Sequence, residues 1–127
     1  MDATNSSQSK FSFLRPYRQD DFDKVIRVFQ TNVPQFFAPQ EEQEFAIYLQ
    51  EKREDYYIVE ISEQVVGGGG INYFPQQHLA RISWDFLHPD FQGKGYGKAL
   101  TLYRIQKIQS DPQYDTVMVR TSAAFPQ

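Results

Sequence analysis

The chain has no cysteine among its 127 residues, which excludes disulfides, thiolate metal sites and a cysteine nucleophile. No apolar run approaches the ~18 residues that a membrane span needs, so no membrane role is expected. An excess of positive charge is missing too. Lys and Arg number 13 against 16 Asp and Glu, for a formal charge of −3 and a pI of about 5.3, which leaves no electrostatic footprint for nucleic acid. The first ten residues lack the apolar segment of a signal peptide, and the expected location is cytoplasmic. With 40% hydrophobic and 16% aromatic residues, the length suits one domain with one core. Residues 1–10, rich in Ser, Asn and Gln, read as a flexible leader, and 11–127 as a single domain.

The stretch that is present, and that organises the rest, runs over residues 80–110. It reads as a strand (80–87), a turn at His88-Pro89, a glycine loop with Gln92, Gly93, Lys94, Gly95, Tyr96, Gly97 and Lys98, and a helix to Ile108. Alternate glycines let a backbone turn tightly and approach a ligand, and the helix that follows starts with N–H groups lacking an internal partner, a natural place for an anion. A Walker loop is excluded, since Gln92 stands where its first glycine belongs and Ala99 where its Ser or Thr belongs. The dinucleotide fingerprint fails because its third glycine is Lys98. On the preceding strand, alternation places Arg81, Ser83, Asp85 and Leu87 on one face and Ile82, Trp84 and Phe86 on the other. A carboxylate in mid-sheet must be paired, solvated or functional, so Asp85 is either an ion-pair partner of Arg81 or another cation, or a general base for an amine.

Around that unit the chain alternates elements. Residues 11–15 read as a first strand ending near Pro16. Asp20 is the expected N-cap of a helix whose Phe22, Val25, Ile26 and Phe29 share a face. The proline-bounded segment 32–39 breaks it, and its Phe36 and Phe37 plug the core or line a site. A second helix is expected over 39–53, with Glu41, Glu42 and Glu44 complementing its positive end. Those glutamates form a solvated face, or else Glu41 or Glu44 faces a cleft and attracts a cationic amine. A strand over 56–61 precedes one at 65–74 that Gly67 to Gly70 interrupt, either because a helix packs there or because a ligand needs room. The helix after the loop carries Ala99, Leu100, Leu102, Tyr103, Ile105 and Ile108 as a packing face. Lys94, Lys98 and Arg104 could meet phosphates. A fifth strand at 116–121 should run parallel to the fourth.

The run His88-Pro89-Asp90-Phe91-Gln92-Gly93-Lys94-Gly95-Tyr96-Gly97, with its strand and helix, resembles motif A (Q/R-x-x-G-x-G/A) of the GNAT superfamily of N-acetyltransferases. Leu14-Arg15-Pro16-Tyr17-Arg18 is similar to the usual opening of such domains. The resemblance implies an α/β (α+β) fold with a mixed sheet in the order β-α-α-β-β-β-α-β, flanked by helices. It implies acetyl-CoA as co-substrate, with no metal, lying between splayed fourth and fifth strands. Backbone groups of Asp85, Phe86 and Leu87 would pair with the pantetheine arm, and Gln92, Gly93, Lys94, Gly95, Tyr96, Gly97 and Lys98 would form the pyrophosphate loop. Phe36 and Phe37 would border the acceptor, a small-molecule or peptide amine, which Glu41 is the candidate to attract by its charge. The reaction would be direct attack of that amine on the thioester, with Asp85 the candidate base. Family members continue past the fifth strand through a further helix and strands. Residues 121–127 offer no match for these or for the tyrosine that often protonates the leaving thiolate. The alternative is therefore a degenerate domain that binds CoA or a partner chain without efficient catalysis, and an unpaired fifth strand raises the expectation of a homodimer.

Overall fold

In the computed structural model, residues 10–120 are described. Most of the expected leader and the segment 121–127 lie outside them. Strands β1 (Leu14–Pro16), β2 (Asp55–Ile61), β3 (Gln64–Phe74), β4 (Leu79–Leu87) and β5 (Thr116–Val119) and helices α1 (Phe22–Gln30), α2 (Glu41–Ile47) and α3 (Tyr96–Gln109) follow the expected order. A π-helical turn, Tyr48–Lys52, continues α2. The strands form one sheet ordered β1-β2-β3-β4-β5, antiparallel except for β4 and β5, which run parallel because α3 carries the chain back across the sheet. Among the described residues no helix is long and apolar enough to cross a membrane.

Each face of the sheet has its own core. Val25, Phe29, Phe45, Leu49, Trp84 and Phe86 pack under α1 and α2, and Ile71, Ala80, Ile82, Leu87, Leu100 and Ile108 pack under α3. The stripe of α1 is as the periodicity predicts, with Val28 added. On α3 the stripe is narrower than expected: Leu100, Arg104 and Ile108 are buried and Leu102 is exposed.

Several boundaries differ from the sequence reading. β1 begins at Leu14; Phe11 instead packs edge-on against Tyr103 of α3, 5.2 Å between ring centres. α2 begins at Glu41, because Pro39 lies in the turn before it. Gly67 to Gly70 do not interrupt β3 but lie inside it, all buried. A Cβ on Gly70 would run into the Tyr48 hydroxyl, and one on Gly69 would lie 2.9 Å from the Arg104 guanidinium. Glycine is thus required there by packing from both sides, which is the helix-packing reading.

Asp21, not Asp20, secures the entry to α1. It is 1% exposed, accepts from the Arg18 N–H at 2.7 Å, and takes a bidentate pair from Arg15 at 2.8 Å on each oxygen. Burial pushes its carboxyl up, but the Arg15 and Arg18 hydrogen bonds outweigh that and hold it below its ordinary value. A carboxyl with a depressed folded pKa stabilises above its unfolded value, about 4, and loses that contribution as pH falls through the folded value. Asp21→Asn is therefore expected to lower stability by about 2 kcal/mol at pH 7, discounted from the fully buried case because Arg15 is partly exposed. Urea unfolding at pH 7 and at pH 3 checks this, since the gap between variant and parent should close in acid.

Candidate active site

A bulge in β4 opens the sheet. Gly68 pairs with Phe86 and Gly70 with Ser83, so Gly69 stands opposite both Trp84 and Asp85. Trp84 adopts φ 58°, a left-handed conformation costing about 1–2 kcal/mol that tends to be kept at functional sites. The Tyr56 hydroxyl, kept protonated because burial raises its pKa, donates to the Trp84 carbonyl at 2.8 Å and pins the bulge. The extra residue also shifts the alternation. Ala80 and Ile82 face α3, Trp84 and Phe86 face α1 and α2, and Leu87 faces α3 again. The expectation of one polar face shared by Arg81, Ser83, Asp85 and Leu87 is therefore corrected, and Arg81 is not the partner of Asp85.

Asp85 meets Arg104 instead. The guanidinium is fully buried, with Nη2 3.2 Å from Oδ2 and Nη1 donating at 3.4 Å to Oδ1 and at 3.1 Å to the Gly70 carbonyl. Lying beneath the sheet, it is not placed to meet phosphates at the loop, and that expectation fails. Asp85 keeps 38% of its side chain exposed, on the side of the cleft.

β5 pairs with β4 only from Leu79 to Ile82, with a last bond from the Arg120 N–H to the Ile82 carbonyl at 3.0 Å. Beyond it β4 continues to Leu87 with no further pairing to β5 among the described residues. A cavity of about 330 Å³ lies beside this end of β4, lined by Asn32, Phe36, Phe37, Trp84, Asp85, Phe86, Leu87, Gln92, Gly97, Leu100, Val119 and Arg120. Seven of the expected residues thus converge: Phe36, Phe37, Asp85, Phe86, Leu87, Gln92 and Gly97. Phe37 is buried against Phe29 and Trp84 as well, so it plugs the core and walls the cleft at once.

Glu41 lies elsewhere. It is 2% exposed, and its Oε1 accepts from the Ala38 N–H at 2.8 Å at the start of α2, outside the cavity lining. Glu44 is exposed and lies 3.8 Å from Arg120. Gly93, Lys94, Gly95, Tyr96 and Lys98 also lie outside the lining. Gly93 (φ 74°) and Gly95 (φ 92°) take left-handed turns that direct the chain into α3, with Gly95 at its N-cap. Gln92 is committed: its Nε2 donates at 3.0 Å to the Leu87 carbonyl, which also accepts at 2.9 Å from Asn32 Nδ2. Those two amides tie the end of β4 to the loop and to α1, and they occupy the Leu87 oxygen. Asn32 and Arg120 were missed from the sequence; an asparagine between a helix and a proline reads only as a helix stop.

A mixed sheet whose fourth strand leaves its pairing with the fifth just before a bulge, above a glycine turn that opens a helix, defines an acetyltransferase-like fold. Solved structures share it. A GNAT-family acetyltransferase from Staphylococcus aureus Mu50 is 13% identical with a TM-score of 0.72, over 88% of this chain and 75% of that one. A GNAT-family acetyltransferase from Brucella melitensis, solved with acetyl-CoA, is 18% identical with a TM-score of 0.64, over 76% and 68%. A Pyrococcus horikoshii protein is 20% identical with a TM-score of 0.66, over 82% of this chain, which spans only 36% of that protein's length. No curated protein sequence matches the chain. The model of the acetyltransferase (GNAT) family matches residues 25–124, and the chain belongs to that family.

Proposed function

We propose that residues 11–127 form an acetyl-CoA-dependent N-acetyltransferase domain that acetylates a primary amine of a small molecule or peptide. The observation that carries this reading is the cavity beside the end of β4 that β5 does not pair, which reaches Gln92 and Gly97 on either side of the glycine turn. The acetyl-CoA bound to the Brucella melitensis relative supports the choice of co-substrate. Here the backbone of Asp85 and Phe86, left unpaired by β5, receives the pantetheine arm. The first amides of α3 and the turn at 93–98 hold the pyrophosphate, with Lys94 and Lys98 exposed beside them. The neutral amine nitrogen attacks the thioester carbon, the C–S bond breaks, and CoA leaves as a thiolate that takes a proton from water. Asp85, the carboxylate lining the cavity, takes the amine proton directly or through a water, and Arg104 fixes its orientation. Phe36 and Phe37 wall the acceptor side and keep water away from the thioester.

The competing reading, a domain that binds CoA without efficient catalysis, draws on the same pair, because a carboxylate held by a buried guanidinium is also a satisfactory structural element. Calorimetric titration with CoA and thiol release from acetyl-CoA across an amine panel separate the two. Saturable binding with amine-dependent release is the expected result. Binding without release supports the competing reading, and no binding overturns both.

A further inference from the structure

Beyond Trp84 and Arg120, on the α2 side of the sheet, a second cavity of about 470 Å³ adjoins the cleft. Those two residues line both spaces; the Arg120 guanidinium lies 4.5 Å from the centre of the Trp84 ring, and together they form the shared wall. The floor of the second cavity is set by the register of β3 and β4. Asn72 stands opposite Arg81, and two pairs further along, on the same face, Gly70 stands opposite Ser83. The Tyr48 hydroxyl occupies the space over Gly70 that a Cβ would fill.

This patch gathers the buried polar atoms that have no hydrogen-bond partner among the described residues: Tyr48 Oη, Asn72 Oδ1, Arg81 Nε and Ser83 Oγ. Tyr48, Asn72 and Ser83 are 5%, 8% and 1% exposed. Buried polar groups are nearly always paired, so four orphans, three on the cross-strand pairs either side of Ile71–Ile82 and the Tyr48 hydroxyl over Gly70, call for a ligand. Their chemistry restricts which one. Burial raises the Tyr48 phenol well above its ordinary pKa, leaving it a hydroxyl donor, and Arg81 Nε–H can only donate. Asn72 is fixed in orientation, since Nδ2 donates to the Lys52 carbonyl at 3.0 Å and to Glu54 at 2.9 Å. Its Oδ1 is thus a lone acceptor beside three groups able to donate. The acidic residues of the cavity are engaged, Glu54 by Asn72 and the Tyr73 N–H and Glu44 by Arg120. No carboxylate of the described residues pairs with Arg81, whose guanidinium rests over the Phe74 ring.

We infer that this second cavity binds a carboxylate, and that the acceptor is an amine that carries one, of the amino-acid or short-peptide class. The carboxylate receives Arg81 and Tyr48, an N–H of the same ligand meets Asn72 Oδ1, all three residues lining the cavity, and the reactive amine extends past Trp84 toward the thioester. The inference rests on the acyl-transfer reading for the fate of the amine, but not for the binding of the carboxylate.

The test is calorimetric titration of the full chain, with and without CoA, using L-amino acids and dipeptides in free-acid form and as C-terminal carboxamides. Some acid is expected to bind at least tenfold more tightly than its carboxamide. Arg81→Gln should erase that ratio and leave the CoA titration unchanged. Tyr48→Phe, which keeps the ring packing, should weaken the acid several-fold more than the carboxamide. Equal binding of acid and carboxamide, binding of neither, or equal loss of both in Arg81→Gln would mean that the patch holds water only, and would overturn the inference. Failure of CoA to bind would instead count against acyl transfer, since the acid-to-carboxamide ratio is read without CoA as well.

Discussion

Asp85→Asn is expected to lower kcat by at least about 100-fold, with little change in the KM for acetyl-CoA. The range for losing a general base is about 10²–10⁴, and the side chain keeps its shape while losing the charge that accepts a proton. The backbone of β4, which the proposed function assigns to the pantetheine arm, is untouched by this change. Asp85→Ala should lose as much activity and also stability. It strands the fully buried Arg104, and breaking a buried pair costs about 3–5 kcal/mol, which we reduce to about 2 kcal/mol because the Asp85 side chain is 38% exposed. A double variant, Asp85→Ala with Arg104→Met, removes the stranded charge along with its partner and should recover most of that stability. If its activity stays lost, the carboxylate acts on the proton; if activity returns with stability, Asp85 is only the counter-ion of Arg104. Thiol release and urea unfolding on the three variants make the distinction.

The parts of this site legible in the sequence are those set by neighbours along the chain. The strand, the glycine turn and the α3 start span 80–109 without interruption, and their geometry follows from local periodicity and from the φ values that Gly93 and Gly95 permit. What could not be read depends on partners far apart in sequence. The bulge at Trp84 arises from the pairing of β3 with β4 and from the Tyr56 hydroxyl beneath it, and one extra residue reverses the facing of everything that follows it. That reversal puts Arg81 and Asp85 on opposite faces, although simple alternation places them on one. One signal was present and passed over. Leu100, Arg104 and Ile108 recur every fourth residue, so an arginine stands on a buried stripe and requires a carboxylate from the sheet it covers. Glu41 misleads for the opposite reason: three acidic residues at a helix start look alike in sequence, but the first turns inward and accepts from the Ala38 N–H in the turn before its helix.

Gly67→Ala is expected to be the most destabilising single change in the sheet, by about 3 kcal/mol or more. Its Cβ would collide with the Phe86 carbonyl and lie 2.8 Å from Leu87 Cδ2 and 3.1 Å from Leu87 Cα. Overpacking usually costs about 1–3 kcal/mol when side chains can move aside. Here the first obstacle is backbone, held in register by the pairs Gly67–Leu87 and Gly68–Phe86. Relief would require β4 to move where its Leu87 carbonyl is bound by Asn32 and Gln92, so the strain would reach the cleft. Alanine at Gly93 offers the contrast. That position has open space around it but φ 74°, so its cost is the left-handed penalty of about 1–2 kcal/mol, confined to the turn and felt mainly as weaker CoA binding. Urea unfolding of both variants, with CoA titration of whichever stays folded, reads the two effects separately. A Gly67→Ala chain as stable as its parent would mean that β3 and β4 are not in close contact there, and the bulge that opens the cleft would lose its support.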